Sequence, residues 1–431
     1  MRSDKSPMKF NCTDGTVVTC PTDPQVATKN FSSSVEACPE YFKWIHEDLR
    51  PWKDTGITKD MVESAEKQAY IRIVVLNGRV YVKKFTWVFE TRDVFTIWGI
   101  LQLLRLYPGQ IPDLDIMFEM GDSPVIKQSE YPRSKKIPVM FHYCGSDSTY
   151  DITFPDWSFW GWPEVNVKPW ETFRMELEEG NHRVNWKDRE PYAYWRGNAL
   201  NPVRQNLLRC NLSEKPDSGA LVYQLDWQRE REGNFQHTDY AKQCTHRYKI
   251  YAEGNAWSVS EKYILACDSM SLFITPHYYD FFTRSLIPTI HYWPVNEKDE
   301  CNSIKFAVDW GNNDTQKAQE IGKAGSKFLQ EELQMKHVYD YMFHLLYNYG
   351  KLLKYTPTVP EGAVQYCLDS MACTATGKVK EFLIDSMVKS PVDTGPCILP
   401  QPYDSAALQD FIQQKANLTK QVEKWEAGQS K

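Results

Sequence analysis

Three short stretches of this 431-residue chain place chemically capable side chains where a backbone turn can aim them. The first is YWRGNALNPVRQNLLRC at 194–210. Arg196, Gly197 and Asn198 fall at the end of a predicted strand, and Arg204 opens the helix that follows. Ligands of open α/β sheets gather at the carboxyl ends of strands, and each guanidinium offers a rigid fork of donors to phosphate oxygens. A pair of structural salt bridges accounts for the same arginines equally well. The second stretch is KIYAEGNAWSVSEKYILAC at 249–267. Gly254 permits a tight turn, Ser258-x-x-Glu261 matches a capping box, and Lys262 adds a cation to the first helical turn. The leading N–H groups of a helix lack partners, so a diphosphate fits here, as does an ordinary capped connection. The third is Asp122, in the turn Gly121-Asp122-Ser123-Pro124 behind a predicted strand. A carboxylate so placed takes a proton from an incoming hydroxyl, although aspartate also serves such turns for geometry alone.

Other candidates are weaker. Asp113-Leu-Asp115 spells D-x-D, but Asp113 follows Pro112 at a strand entrance, which favours a structural role. There is no HExxH and no tight histidine pair beyond His237-Thr-Asp239, so no metal site is expected. Neither GxxxxGK[ST] nor GxGxxG occurs, which excludes a kinase-type P-loop and a dinucleotide fingerprint. Trp157, Trp160 and Trp162 in DWSFWGWPE offer flat faces for a sugar ring, or form a packed aromatic core.

Alternating strands and helices must position these groups. A helix over 38–52, a second over 58–69 and a hairpin around Asn77-Gly78 come first. The apolar stretch VFTIWGILQLL (94–104) is about half the ~20 residues that a bilayer demands, and reads as a buried helix. Strands follow at 115–120 and 137–144. Further strands are expected at 191–197, 221–227, 249–254, 271–275 and 288–293, with helices at 203–210, 258–267, 314–333, 338–355 and 406–425. This pattern predicts an α/β protein with a largely parallel sheet. It divides into a flexible lead-in (1–37), one α/β region (38–190), a second (191–345) and a C-terminal helical or irregular extension (346–431), with a cleft between the two α/β regions.

Fifty basic against 56 acidic residues give a formal charge of −6 without long single-sign runs, which disfavours a nucleic-acid partner. Eleven scattered cysteines contain no CxxC pair and leave one thiol over. Sequons stand at Asn11, Asn30, Asn211, Asn313 and Asn417. Together these point to a glycosylating, disulfide-forming lumen. The first residues lack an apolar core, so any membrane contact would come through an anchor absent from this chain; the last residues carry no retrieval signal, which favours the Golgi over the endoplasmic reticulum.

Seven segments in unbroken order resemble glycosyltransferase family 90, the group that includes Rumi-type protein O-glucosyltransferases and capsule xylosyltransferases. They are CPEYFKWIHEDLRPW (38–52), PDLDIMFEMGDSP (112–124), FPDWSFWGWPE (154–164), YWRGN (194–198), EGNAWSVSEKYILACDS (253–269), HYWPV (291–295) and AQEIGKAGSKFLQEEL (318–333), closest in wording to the plant branch. The resemblance implies a GT-B-like pair of Rossmann-type domains facing a central cleft. It also implies inverting transfer without a metal ion or other cofactor, from UDP-glucose or UDP-xylose to a glycan or protein hydroxyl. It assigns the base to Asp122 and donor contacts to Gly197, Asn198 and Arg204. It pairs Cys244 with Cys267, closing a loop worth about 3 kcal/mol. Two departures stand out: Ser260 occupies a clamp position that is arginine in Rumi-type enzymes, so that clamp is either absent or replaced, with Lys262 a candidate, and Asp340 replaces a cysteine. Cys38 must then find its partner elsewhere, with the 367–397 tail a candidate, or remain free. A silent glycan-binding homologue and a glycoside hydrolase, which would need a second carboxylate, remain the alternatives.

Overall fold

The structure, a computed structural model, describes Cys12, Cys20, Ser32 and residues 34–132, 136–214, 217–235 and 238–429. Two sheets organise it. The first contains β1 (Ile71–Leu76), β2 (Arg79–Lys84), β3 (Leu114–Phe118), β4 (Phe141–His142), β5 (Ile152–Thr153) and, late in the chain, β11 (Val364–Tyr366). The order is β11-β2-β1-β3-β4-β5, with β3, β4 and β5 parallel and the rest antiparallel. The hairpin turns at Asn77 and Gly78, both at positive φ (51° and 72°), as a type I′ turn requires. The first sheet is therefore mixed, where two Rossmann-type units were expected.

The second sheet contains β6 (Glu190–Gly197), β7 (Ala220–Gln224), β8 (His246–Tyr251), β9 (Met270–Ile274) and β10 (Trp293–Val295). All its pairings are parallel, in the order β10-β9-β8-β6-β7. Numbered from its own first strand, this is the doubly wound order 2-1-3-4-5, which reverses direction between β6 and β8 and opens a crevice beyond their carboxyl ends.

Burial follows composition. The helix Arg92–Leu106 is apolar nearly all round and lies inside the larger core, where Gly99 admits the Trp160 ring; a Cβ there would come within 2.5 Å of it. A smaller core, around Trp293, Leu272 and Ile304, covers the far face of the parallel sheet. The final helix, Ser405–Gln429, buries Leu408 in the first core and Val422 in the second. Trp425 stacks beside Trp293 and Trp310, so this helix straps both sheets together.

Five disulfides add cross-links: Cys12–Cys373, Cys20–Cys367, Cys38–Cys397, Cys210–Cys301 and Cys244–Cys267. Cys144 is the buried free thiol. Two of these bridges tie the lead-in cysteines Cys12 and Cys20 to the C-terminal tail, and a third ties Cys38, just after the lead-in, to Cys397. Asp340 accepts the Cys397 N–H and the Tyr107 hydroxyl. No helix among the described residues is long and apolar enough to cross a membrane.

Candidate active site in the interlobe cleft

The β6 turn is built by its own sequence. Gly197 ends the strand, and a Cβ there would lie 2.7 Å from the Trp195 ring. Asn201 caps the helix Pro202–Leu208 by accepting the Arg204 N–H at 2.9 Å, with proline at the first helical position. Its amide reaches across to the Glu253 carbonyl, also at 2.9 Å, and so locks this turn to the one after β8. Arg204 completes the junction: it donates to the Asn198 and Ala252 carbonyls and to Ser258 Oγ, the last at 2.9 Å.

These turns form one wall of a cleft of about 340 Å³. Arg196, Gly197, Asn198, Arg204, Gly254, Ser258 and Ser260 line it from the parallel-sheet side, here the second lobe, and Asp122 and Trp157 from the mixed-sheet side, the first lobe. The sequence candidates thus converge, with two exceptions. Lys262 is buried elsewhere, bonded to Ser158 Oγ at 2.6 Å and paired with Asp156 at 3.3 Å. A buried amine needs such a counter-ion, so Lys262 does not replace the absent arginine. Trp160 is fully buried against Gly99, with its N–H donated to the Tyr339 hydroxyl, and offers no face to a sugar. Trp157 reaches the wall but is 1 % exposed, beneath the Arg92 guanidinium at 4.5 Å.

The expected capping box is also not formed. The helix begins at Ser260, Ser258 N–H donates to the Tyr251 hydroxyl, and Glu261 points into the interior, where burial raises its carboxyl well above the usual range. Both the 202–208 and 260–265 helices are short, so side chains and loop amides dominate the cleft electrostatics.

Charge balance within the cleft is uneven. Asp122 follows β3, and its Oδ1 accepts from Arg92 and Oδ2 from Asn255, each at 2.9 Å. Partial burial alone would raise this carboxyl; Arg92, with Asn255, outweighs that and holds it below the usual carboxylate range. Arg92 also donates to the Met120 carbonyl. Neither Arg196 nor Arg204, by contrast, has a carboxylate partner among the described residues. Arg204 meets only neutral acceptors, and burial lowers its pKa. Arg196 lies over the Tyr223 ring at 4.8 Å, with its Nε–H buried and unaccepted. Two cations without a carboxylate in contact, facing one cleft, favour an anion on this wall.

Arg92 and Asn255 escaped the sequence reading. The available signal was an Arg-Asp pair at the mouth of the most apolar helix, which the expected start at residue 94 left outside. Asp115, of the D-x-D, is buried in a bidentate pair with Arg72 at 2.8 and 2.6 Å, and Asp113 accepts the Asn77 N–H. Of the sequons, Asn313 and Asn417 are exposed, and Asn211 is half-buried with its side-chain oxygen accepting the Val222 N–H. Asn11, Asn30 and His237 lie outside the described residues.

Comparison with known proteins converges on one family. The family model described as Glycosyl transferase family 90 matches residues 33–426. Protein O-glucosyltransferase 1 of Homo sapiens is 26% identical over 341 residues, covering 76% of this chain and 84% of its own. O-glucosyltransferase rumi of Drosophila melanogaster is 24% identical over 348 residues, covering 78% and 80%. The O-glucosyltransferase rumi homolog of Aedes aegypti is 26% identical over 320 residues, covering 72% and 77%.

Proposed function

The chain belongs to glycosyl transferase family 90, and on that premise we propose that its cleft transfers glucose or xylose from a UDP-sugar to a hydroxyl of a glycan or protein acceptor. The two lobes act as a GT-B-like pair, the second holding the nucleotide-sugar and the first carrying the base. Arg196 and Arg204, without a carboxylate in contact among the described residues and at the switch point of a parallel sheet, are the single observation that carries this reading. A nucleoside diphosphate supplies negative charge, and the Gly197-Asn198 and Gly254 turns let its oxygens approach the backbone.

The reaction is a direct displacement. Asp122 takes the proton of the acceptor hydroxyl as the oxygen bonds to the sugar C1, and the bond from C1 to the diphosphate breaks on the opposite face, inverting the anomeric centre. The departing UDP gains negative charge, which Arg196 and Arg204 stabilise without needing to reorient, so the reading uses no metal ion. Asn255 holds one lone pair of Oδ2, and the acceptor hydroxyl bonds to the other. A carboxyl held below its usual range stays ionised through neutral pH, as a base must.

Five disulfides fit a secretory lumen. We propose the Golgi in particular, which a glycan acceptor favours. The test of the reading is a panel of UDP-sugars examined for thermal stabilisation and slow hydrolysis. One sugar that both stabilises the protein and is hydrolysed supports it; a chain indifferent to every UDP-sugar and to UDP refutes it. One observation favours the silent glycan-binding homologue: Ser260 lacks the clamp arginine, and Lys262 faces away. Glycan binding without any response to UDP would establish that second reading.

A further inference from the structure

The interlobe gap holds a second, larger hollow of about 1000 Å³. It lies beyond the carboxyl end of β9, through Phe273, Pro276 and Tyr278, with Tyr292 entering from the start of β10, whereas the cleft lies beyond β6 and β8. Adjacent strands of one sheet therefore open onto adjacent compartments of one gap. On the first lobe the compartments share a loop: Asp122 faces the cleft, while Asp151, lining the hollow, accepts the N–H groups of Val125 and Ile126 at 3.0 and 2.8 Å. Between the compartments the two halves are in contact, with Trp257 packed against the His142, Tyr143 and Trp157 rings. Asn255 donates to Asp122, Ser123 Oγ donates to the Asn255 carbonyl at 3.5 Å, and Gly145 and Tyr279 exchange backbone bonds at 2.8 and 3.0 Å.

We propose that this hollow is the acceptor subsite, and that the acceptor it takes is a polyhydroxylated glycan chain rather than a folded protein domain. The inference rests on the transferase reading above and narrows its substrate class. Three features support it. The walls combine half-exposed tyrosine rings, Tyr150 and Tyr278, with the exposed carboxylates Asp54 and Asp147. Aromatic faces suit the C–H face of a pyranose, and carboxylates accept from its hydroxyl edge. The floor is rigid: half-buried Arg284 pairs with Asp48 at 2.7 Å and lies between the Trp44 and Tyr279 rings at 4.5 and 4.3 Å. The third side is closed by the final helix, through Phe411, Ile412 and Lys415, with Lys415 Nζ donating to the Arg284 carbonyl at 2.8 Å. A hollow of this size, walled on three sides, matches a chain of several sugar rings. A folded domain instead needs a broad open face, about 800 Å² on each partner.

The experiment uses the full chain with its preferred UDP-sugar. Acceptors are xylo-, gluco-, galacto- and manno-oligosaccharides on one side and folded, disulfide-bonded protein domains on the other. The inference predicts transfer to an oligosaccharide series, with KM falling as the chain lengthens. It predicts that Tyr278→Ala, which removes a ring, and Ile412→Trp, which fills the hollow from a 46% exposed position, each raise acceptor KM at least tenfold. Donor hydrolysis, UDP affinity and Tm stay at parent values in both. Unchanged acceptor KM in both variants overturns it, as does transfer to protein domains alone. If the parent neither binds UDP nor hydrolyses any donor, the transferase reading itself fails, and this inference with it; intact donor hydrolysis with inert oligosaccharides sinks the inference alone.

Discussion

Arg92 ties the base to the wall behind it, with one guanidinium nitrogen on Asp122, another on the Met120 carbonyl and its face over Trp157. Replacing it by Gln removes the charge that outweighs burial at Asp122, so the carboxyl should titrate higher. The acid limb of kcat/KM should then move to higher pH, while UDP affinity stays the same; an unmoved limb would count against Arg92 as the tuning group. Arg196 gives a cleaner probe of the donor side. No protein acceptor meets its Nε–H, so Arg196→Ala should change stability by less than about 0.5 kcal/mol. UDP affinity should nonetheless fall roughly 10- to 100-fold, the worth of a charged hydrogen bond to phosphate. Isothermal titration of parent and variant checks both statements. At this scale the sequence disclosed residue types at strand ends, because glycine, arginine and aspartate there have few other uses. It could not disclose side-chain direction. Lys262 stands two positions from Ser260, yet one faces Asp156 and the other the cleft. Which side of a one-and-a-half-turn helix is buried depends on partners more than 100 residues away.

Turns carry the cleft, and the turn after β8 depends on Glu253, whose carboxylate accepts the His277 and Tyr278 N–H groups. Burial pushes this carboxyl up to about 7, although those N–H groups favour its ionised form. Its folded pKa lies above the unfolded value, so the native state binds more protons between about pH 4.5 and 7. Stability should therefore fall as pH rises through that window, by on the order of 3 kcal/mol for this group. Glu253→Gln, which keeps an acceptor, should flatten that part of the slope in denaturant melts taken at pH 5 and 7.5. Asn201→Ala should cost about 1 kcal/mol through the lost cap, and weaken UDP as well, since the same side chain locks the β6 and β8 turns. The elements themselves were unevenly legible. The Asn77-Gly78 hairpin and the parallel strands β6 to β9 declare themselves by turn chemistry and β-branched or aromatic runs. The 137–144 strand shrinks to Phe141–His142, because the Ile137 carbonyl accepts from the Trp52 indole, the Val139 N–H donates to the Met61 carbonyl, and the Cys144 N–H donates to the His142 ring. The helix Trp170–Arg183 went unread, since it buries only a sparse stripe of Trp170, Phe173 and Leu177 below a charged face.

The whole molecule is two sheets joined through one large shared apolar core, with the final helix across both and five bridges that fasten the tail and the parallel-sheet half internally. The Cys244–Cys267 bridge, with a sequence separation of 23, was implied by family likeness and is present. Replacing both cysteines by serine should cost about 3 kcal/mol by the chain-entropy account, and loosen the β8 side of the cleft. The long-range pairs joining the lead-in to the tail had no signal in spacing, because chain separation says nothing about which cysteines a fold brings together. The mixed character of the first sheet was equally hidden, since strand direction is set by the connections rather than by strand composition. What the two lobes are for is tested most directly by Asp122→Asn, with sugar transfer and UDP binding measured on the same preparation. The account predicts that transfer falls at least 100-fold, the usual contribution of a general base, while the UDP dissociation constant stays within twofold of the parent. Near-parental transfer by the asparagine variant would contradict it.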